Sequence, residues 1–233
     1  MIDFYYWPTP NGHKVAIMLE EIGSEYQLHP VNILKGEQFD PHFLEISPNN
    51  RIPAIVDTSG PEGTPYALFE SGAILLYLAE KKGILWPPSK AARYDMLQWL
   101  FFQNANVGPM FGQCGHFQGY APEPVPYAIE RYHNETRRLY GVMDRRLARS
   151  AYLAGPDYSL ADIATYPWCM PIIRELHEID VDEFPYVAAW VERIAQRPAV
   201  TRGTSLLAEV MKIGDPDQET REAFFGNRQL EQR

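Results

Sequence analysis

The stretch Tyr6-Trp7-Pro8-Thr9-Pro10-Asn11-Gly12-His13-Lys14 joins two patterns of different period. Before it, Ile2, Phe4 and Tyr6 fall on alternate positions, the period of a strand. After it, Val15, Met18, Leu19 and Ile22 recur at helical spacing, and Gly23 ends the run. Pro8, Pro10 and Gly12 break the chain between the two. The stretch is therefore a strand-to-helix turn, and the helix starting near Asn11 presents N–H donors and a positive dipole end.

Working outward, Tyr26-Gln27-Leu28-His29-Pro30-Val31-Asn32-Ile33 alternates and reads as a second strand. Ile52–Val56 reads as a third and Tyr66–Leu68 as a fourth, separated by a Gly/Pro-rich turn at 59–65, and Ser71–Lys82 reads as a helix. The order β-α-β then β-β-α is a thioredoxin-like α/β plan, a right-handed crossover followed by a hairpin. Strand signals fade after a Pro87-Pro88 linker, and 91–107, 126–149, 160–177 and 184–196 carry helical periodicity. The expected organisation is an α/β domain at 1–84, a linker at 85–90, an all-α domain at 91–206 and a loosely held polar tail at 207–233. Ser159-Leu160-Ala161-Asp162 fits a capping box, with Tyr158 and Ile163 placed as its hydrophobic staple.

The 233 residues are 45% hydrophobic, enough for packed cores, and carry a net charge of −9, which argues against nucleic acid as the main partner. No apolar run reaches the roughly 20 residues of a membrane span, and Met1–Tyr6 lacks the basic and apolar regions of a signal peptide. The two cysteines, Cys114 and Cys169, form neither a CxxC nor a disulfide framework, so a reducing, cytoplasmic setting is expected. No metal-ligand spacing and no phosphate-binding glycine loop occurs, so no metal is expected.

Five runs carry a family resemblance: Thr9 to Lys14, Ser47 to Asp57, Phe69 to Glu80, Leu97 to Leu100 and Pro126 to Tyr132. Over about residues 1–205 the chain resembles the soluble glutathione transferases, and most nearly their bacterial nu class of disulfide-bond oxidoreductases. That class in turn resembles the transferase-like domain of a fungal nitrogen regulator. The resemblance implies a homodimer. It also implies glutathione as the bound thiol substrate, with a small disulfide or an electrophile as the second substrate.

Site residues follow from the same resemblance. In this fold the proline before the third strand is cis, which implies a cis Ile52–Pro53 bond and leaves the N–H and C=O of Ile52 to pair with an extended peptide; the residues alone favour an ordinary trans proline. Glu70 and Ser71 open a helix whose N-terminus favours an anion, suited to the γ-glutamyl end, though a plain helix cap is equally compatible. Gln38 and Arg51 are candidates for the glycyl end, and both also read as solvated surface residues. Arg131 is a candidate for a second glutathione or the ligand carboxylates, and equally for an ion pair. Thr9-Pro10-Asn11-Gly12 takes the register where glutaredoxin-like proteins carry Cys-Pro-x-Cys, and both sulfurs are missing. Thr9 and Asn11 are therefore expected to hydrogen-bond the thiol of bound glutathione, which does the chemistry. His13 reads as a helix-surface residue, and Tyr5 and Tyr6 as packing or pocket wall. The aromatic run from Trp99 to Gln118 reads mainly as core, with a share in the second-substrate site or dimer face. Three functions are carried: glutathione-dependent disulfide reduction, conjugation of electrophiles, and a non-enzymatic glutathione-binding regulatory module.

Overall fold

The computed structural model describes residues 1–214 and 216–230, without the side chains of Arg228 and Leu230. The chain forms two compact units, one of residues 1–78 with the chain from 202 onward, the other of residues 79–201. The C-terminal segment thus belongs with the first unit.

The first unit is built on four strands, β1 (Ile2–Tyr6), β2 (Tyr26–Pro30), β3 (Ala54–Asp57) and β4 (Tyr66–Phe69), in the order β2-β1-β3-β4. β1 runs parallel to β2 and antiparallel to β3, and β3 antiparallel to β4. The register Phe4↔Ile55 puts two fully buried side chains side by side. One face carries Ile2, Phe4 and Tyr6 and is covered by α1 (Pro10–Glu21), whose His13 meets the Tyr6 hydroxyl. The opposite face carries Tyr5 and Val56, packed with Phe43 and Ile46 of α2 (Pro41–Ile46) and with Val210. Each Phe- or Leu-sized side chain so buried contributes about 2–3 kcal/mol. α2 is absent from the expected elements: at 6 residues it is too short to show a period.

Eight consecutive residues of α1, Gly12 to Leu19, are buried. A helix covered all round needs partners on every side. Gly203 supplies one, since a Cβ there would lie 2.7 Å from the Ile17 amide nitrogen. The helix ends where Gly23 adopts φ 58°, as expected for its stop.

α3 (Ser71–Lys82) leads into the second unit, which is helical throughout. α4 (Lys90–Phe102) continues through a π-turn at Gln103–Val107 into α5 (Gly108–Gly115) and a second π-turn at His116–Tyr120. Pro109 lacks an N–H, and the wide turn before it lets the helix continue. α6 (Pro126–Leu147) is the long amphipathic helix. The span expected as one helix at 160–177 is broken into α7 (Leu160–Thr165), a 3₁₀ turn and α8 (Pro171–Leu176), because Pro167 and Pro171 interrupt the backbone ladder. α9 (Pro185–Ala195) and α10 (Pro198–Ser205) follow.

The capping box at α7 forms as read, with the Ser159 N–H donating to Asp162 Oδ2 at 3.0 Å. Asp162 also accepts from the Leu153 N–H at 3.0 Å and Trp190 Nε1 at 2.9 Å. One fully buried carboxylate thereby ties a helix cap, a loop and a core indole together. The expected loose tail instead carries α11 (Gln218–Phe225), capped by Asp217, which accepts from the Thr220 N–H at 2.8 Å. α11 packs against the turn at Ile33–Lys35.

Candidate active site

Thr9 is the N-cap of α1. Its backbone is extended and its Oγ1 accepts from the Gly12 N–H at 3.1 Å. That bond uses an oxygen lone pair and leaves the hydroxyl proton able to donate. Pro10 follows at the first helical position, where its missing N–H costs nothing. Asn11 is half-buried in the first turn beside it. Gly12 is dictated by space: a Cβ would lie 2.3 Å from the Trp7 carbonyl oxygen and 2.9 Å from the Tyr6 ring.

The residues around this turn are not bases in waiting. His13 is 1% exposed rather than on the helix surface, and burial pushes its pKa down to about 4, so it stays neutral. Tyr6 is fully buried, donates to the Leu206 carbonyl at 3.0 Å and has its hydroxyl pKa raised by burial. Tyr5 stacks on His29 with ring centroids 4.8 Å apart. Both tyrosines are packing residues. Cys114 and Cys169 lie buried in the second unit; burial raises both thiols, Cys169 to about 12. Thiols so placed are poor nucleophiles.

The Ile52–Pro53 bond is cis, as the resemblance implied. Ile52 precedes β3, and neither its N–H nor its C=O is hydrogen-bonded among the described residues. Such a pair is what an extended peptide engages by strand addition.

At the mouth of α3, Glu70 is exposed and holds φ 69°, left-handed backbone that is uncommon outside glycine. Ser71 follows, mostly buried, and its Oγ accepts from Lys14 Nζ at 3.3 Å. Lys14 is 2% exposed; burial lowers its pKa to about 7, against the raising influence of the Glu70 charge. A helix N-terminus, a hydroxyl and a buried amine meet here, a combination of groups that favours an anion. In the sequence Lys14 carries little sign of this position. Its one signal was a lysine one turn after Asn11 in a run that is otherwise apolar.

Gln38 and Arg51, candidates for the glycyl end, are engaged by the C-terminal segment. Gln38 is 2% exposed and its Nε2 donates to the Ala223 carbonyl at 3.4 Å. Arg51 Nη1 donates to Gln229 Oε1 at 3.1 Å. Thr9, Asn11, Gln38, Arg51, Ile52, Pro53, Glu70 and Ser71 all belong to the first unit. Arg131 lies in the second, exposed on α6, with Nη1 3.9 Å from Glu135. In the run from Trp99 to Gln118, Phe111 is fully buried, whereas Phe101 is 61% exposed.

Residues 1–80 match the family described as glutathione S-transferase, N-terminal domain, and residues 125–198 match glutathione S-transferase, C-terminal domain. The disulfide-bond oxidoreductase YfcG of Escherichia coli K12 is 53% identical over 216 residues, 92% of this chain and 98% of that protein. The chain belongs to the glutathione S-transferase family. Its first unit is accordingly the thioredoxin-like domain of that fold and its second the helical domain. Among solved transferases, a family member from Pseudomonas fluorescens pf-5 with two glutathione bound is 48% identical, with a TM-score of 0.83 over 87% of this chain and 92% of that one. A transferase from Pseudomonas putida with one glutathione disulfide per subunit is 45% identical, with a TM-score of 0.84 over 88% and 91% of the two chains.

Proposed function

We propose that this protein is a glutathione-dependent disulfide-bond reductase that works with the thiolate of bound glutathione. The observation that carries the reading is a turn shaped for thiol chemistry that contains no sulfur, in a chain whose two cysteines are sealed in the core. The nucleophile must then come with the ligand. Its γ-glutamyl carboxylate goes to Ser71, Lys14 and the α3 N-terminus, and its ammonium to Glu70. The cysteinyl peptide pairs with Ile52 beside Pro53, and Arg51 and Gln38 face the glycyl end. Arg131 serves a second glutathione. The thiolate rests at the α1 N-terminus, where the Thr9 hydroxyl and the Asn11 amide donate to it. Each pKa unit of thiolate stabilisation is worth about 1.4 kcal/mol, so two or three donors bring a thiol from about 8.5 to near 7.

The reaction balances in two displacements. The thiolate attacks one sulfur of a small disulfide; a new S–S bond forms, the old one breaks, and the other half leaves as a thiolate that takes a proton. A second glutathione thiolate then attacks the mixed disulfide, yielding glutathione disulfide and the second free thiol. The two ligand states of the Pseudomonas transferases, two glutathione and one glutathione disulfide, suit the start and end of this sequence.

We place the chain in a homodimer in the cytoplasm. Tyr94 and Phe101, seven residues apart on α4, are 67% and 61% exposed, apolar area that a second copy would cover. Two unpaired buried thiols suit a reducing compartment, and among the described residues no helix is long and apolar enough to cross a membrane.

The test is turnover of a small disulfide with glutathione, coupled to glutathione reductase and NADPH, beside conjugation to an aryl halide. Fast reduction with slow conjugation is expected. The reverse pattern would make the chain a conjugating transferase, and glutathione binding with neither activity a regulatory module.

A further inference from the structure

The C-terminal segment is engaged with the residues assigned above to the glycyl end of the ligand. Gln229 Oε1 accepts from Arg51 Nη1 at 3.1 Å and from Asn50 Nδ2 at 3.2 Å. The other end of the same amide donates to the Ala223 carbonyl at 2.6 Å, so the amide is aimed rather than loosely placed. Ala223 also takes the Gln38 amide, and α11 lies on the neighbouring turn at Ile33–Lys35. Gln38 Oε1, in a residue 2% exposed, meets no donor among the described residues. Its carboxamide is thus only half satisfied while the segment is docked.

A side-chain amide oxygen on a guanidinium and a neighbouring amide N–H is a neutral copy of a carboxylate in the same place. The two differ in strength, because a charge-assisted bond to arginine is about twice as strong as a neutral one. Resting on the glutathione reading, we propose that Gln229 is an affinity-setting residue of this site: its side-chain carbonyl stands where the glycyl carboxylate of glutathione binds, and glutathione enters by displacing the segment 217–230. The neutral stand-in holds the segment against the site weakly enough for a carboxylate to replace it. Release of α11 also frees the Gln38 amide from Ala223. A ligand whose competent state is populated only in part binds with its affinity reduced by that fraction.

The experiment is calorimetric titration of the full-length protein with reduced glutathione, comparing Gln229→Ala and Gln229→Glu with the unsubstituted chain. Displacement requires opposite signs. Gln229→Ala binds about threefold more tightly, because the closed form is depopulated. Gln229→Glu binds about tenfold more weakly, because the segment now offers Arg51 a carboxylate of its own. Tryptic cleavage after Arg221 is faster in the presence of glutathione. Weaker binding in both variants makes Gln229 a wall of the site and overturns the proposal, as do unchanged affinities or slower cleavage with glutathione. If the unsubstituted chain binds no glutathione at all, the functional reading itself falls and takes this one with it.

Discussion

Lys14 holds its ammonium 3.3 Å from the hydroxyl of Ser71, inside the protein, at the start of the helix assigned to the ligand's γ-glutamyl carboxylate. Burial lowers its pKa from 10.5 to about 7, so between those values the unfolded chain binds the extra proton and stability rises with pH. Below about 7 both states carry the charge and the full burial penalty is present. Lys14→Met therefore stabilises the fold most near pH 6, and the gain shrinks towards pH 9, as read by thermal melts across that range. The same variant binds S-methylglutathione, which has no thiol to titrate, roughly tenfold more weakly at pH 6, with little difference at pH 9. A pH-independent effect would remove the ammonium from the site.

Asn11→Ala removes an amide from the α1 turn. The thiol pKa of bound glutathione, followed by thiolate absorbance, rises by about one unit, and disulfide turnover at pH 7 falls roughly tenfold. Unchanged turnover would take Asn11 out of the chemistry.

The double variant Cys114→Ser, Cys169→Ser keeps disulfide turnover. Its cost is stability, about 1–2 kcal/mol, since both positions are buried. Loss of turnover in a folded variant would mean that a protein thiol takes part.

Asp162→Ala leaves the Leu153 N–H and the Trp190 indole N–H without their buried acceptor and abolishes the capping box. A loss of about 3–5 kcal/mol is expected in urea unfolding, with glutathione affinity unchanged under conditions where the protein is folded. A loss below 1 kcal/mol would show that water replaces the carboxylate without difficulty.

Gly12→Ala drives a methyl group into the Trp7 carbonyl, 2.3 Å from the ideal Cβ. The turn must move, at a cost of about 2–3 kcal/mol and with weaker glutathione binding. A variant as stable as the parent would mean that the turn is plastic.

The sheet and its first helix were legible because their signals are local. Ile2, Phe4 and Tyr6 alternate, Val15, Met18 and Leu19 follow a helical period, and Gly23 stops the helix where its backbone is left-handed. The Ser159–Asp162 box was legible for the same reason. What the sequence hid depends on distant partners. Nothing near Gln38 announces that Ala223 will cover it, 185 residues on, and nothing near Arg51 announces Gln229. The polar composition after residue 206 reads as a solvated tail because α11 buries little more than Thr220 and Ala223, too few residues to write an apolar stripe. His13 and Lys14 look like surface residues until Gly203 and Ser71 close over their helix. Thr9, Asn11, Glu70 and Ser71 are singled out by the family resemblance, and the turn and helix start they occupy are written in adjacent residues.

The bond from the Tyr6 hydroxyl to the Leu206 carbonyl spans 200 positions. On the ribosome His13, seven residues on, meets that hydroxyl early, whereas its second partner arrives only when the segment around Leu206 has been made. The all-helical stretch in between has every residue it needs earlier. Folding is expected to finish in the helical unit before it finishes in the α/β unit, which needs the segment from 202 onward.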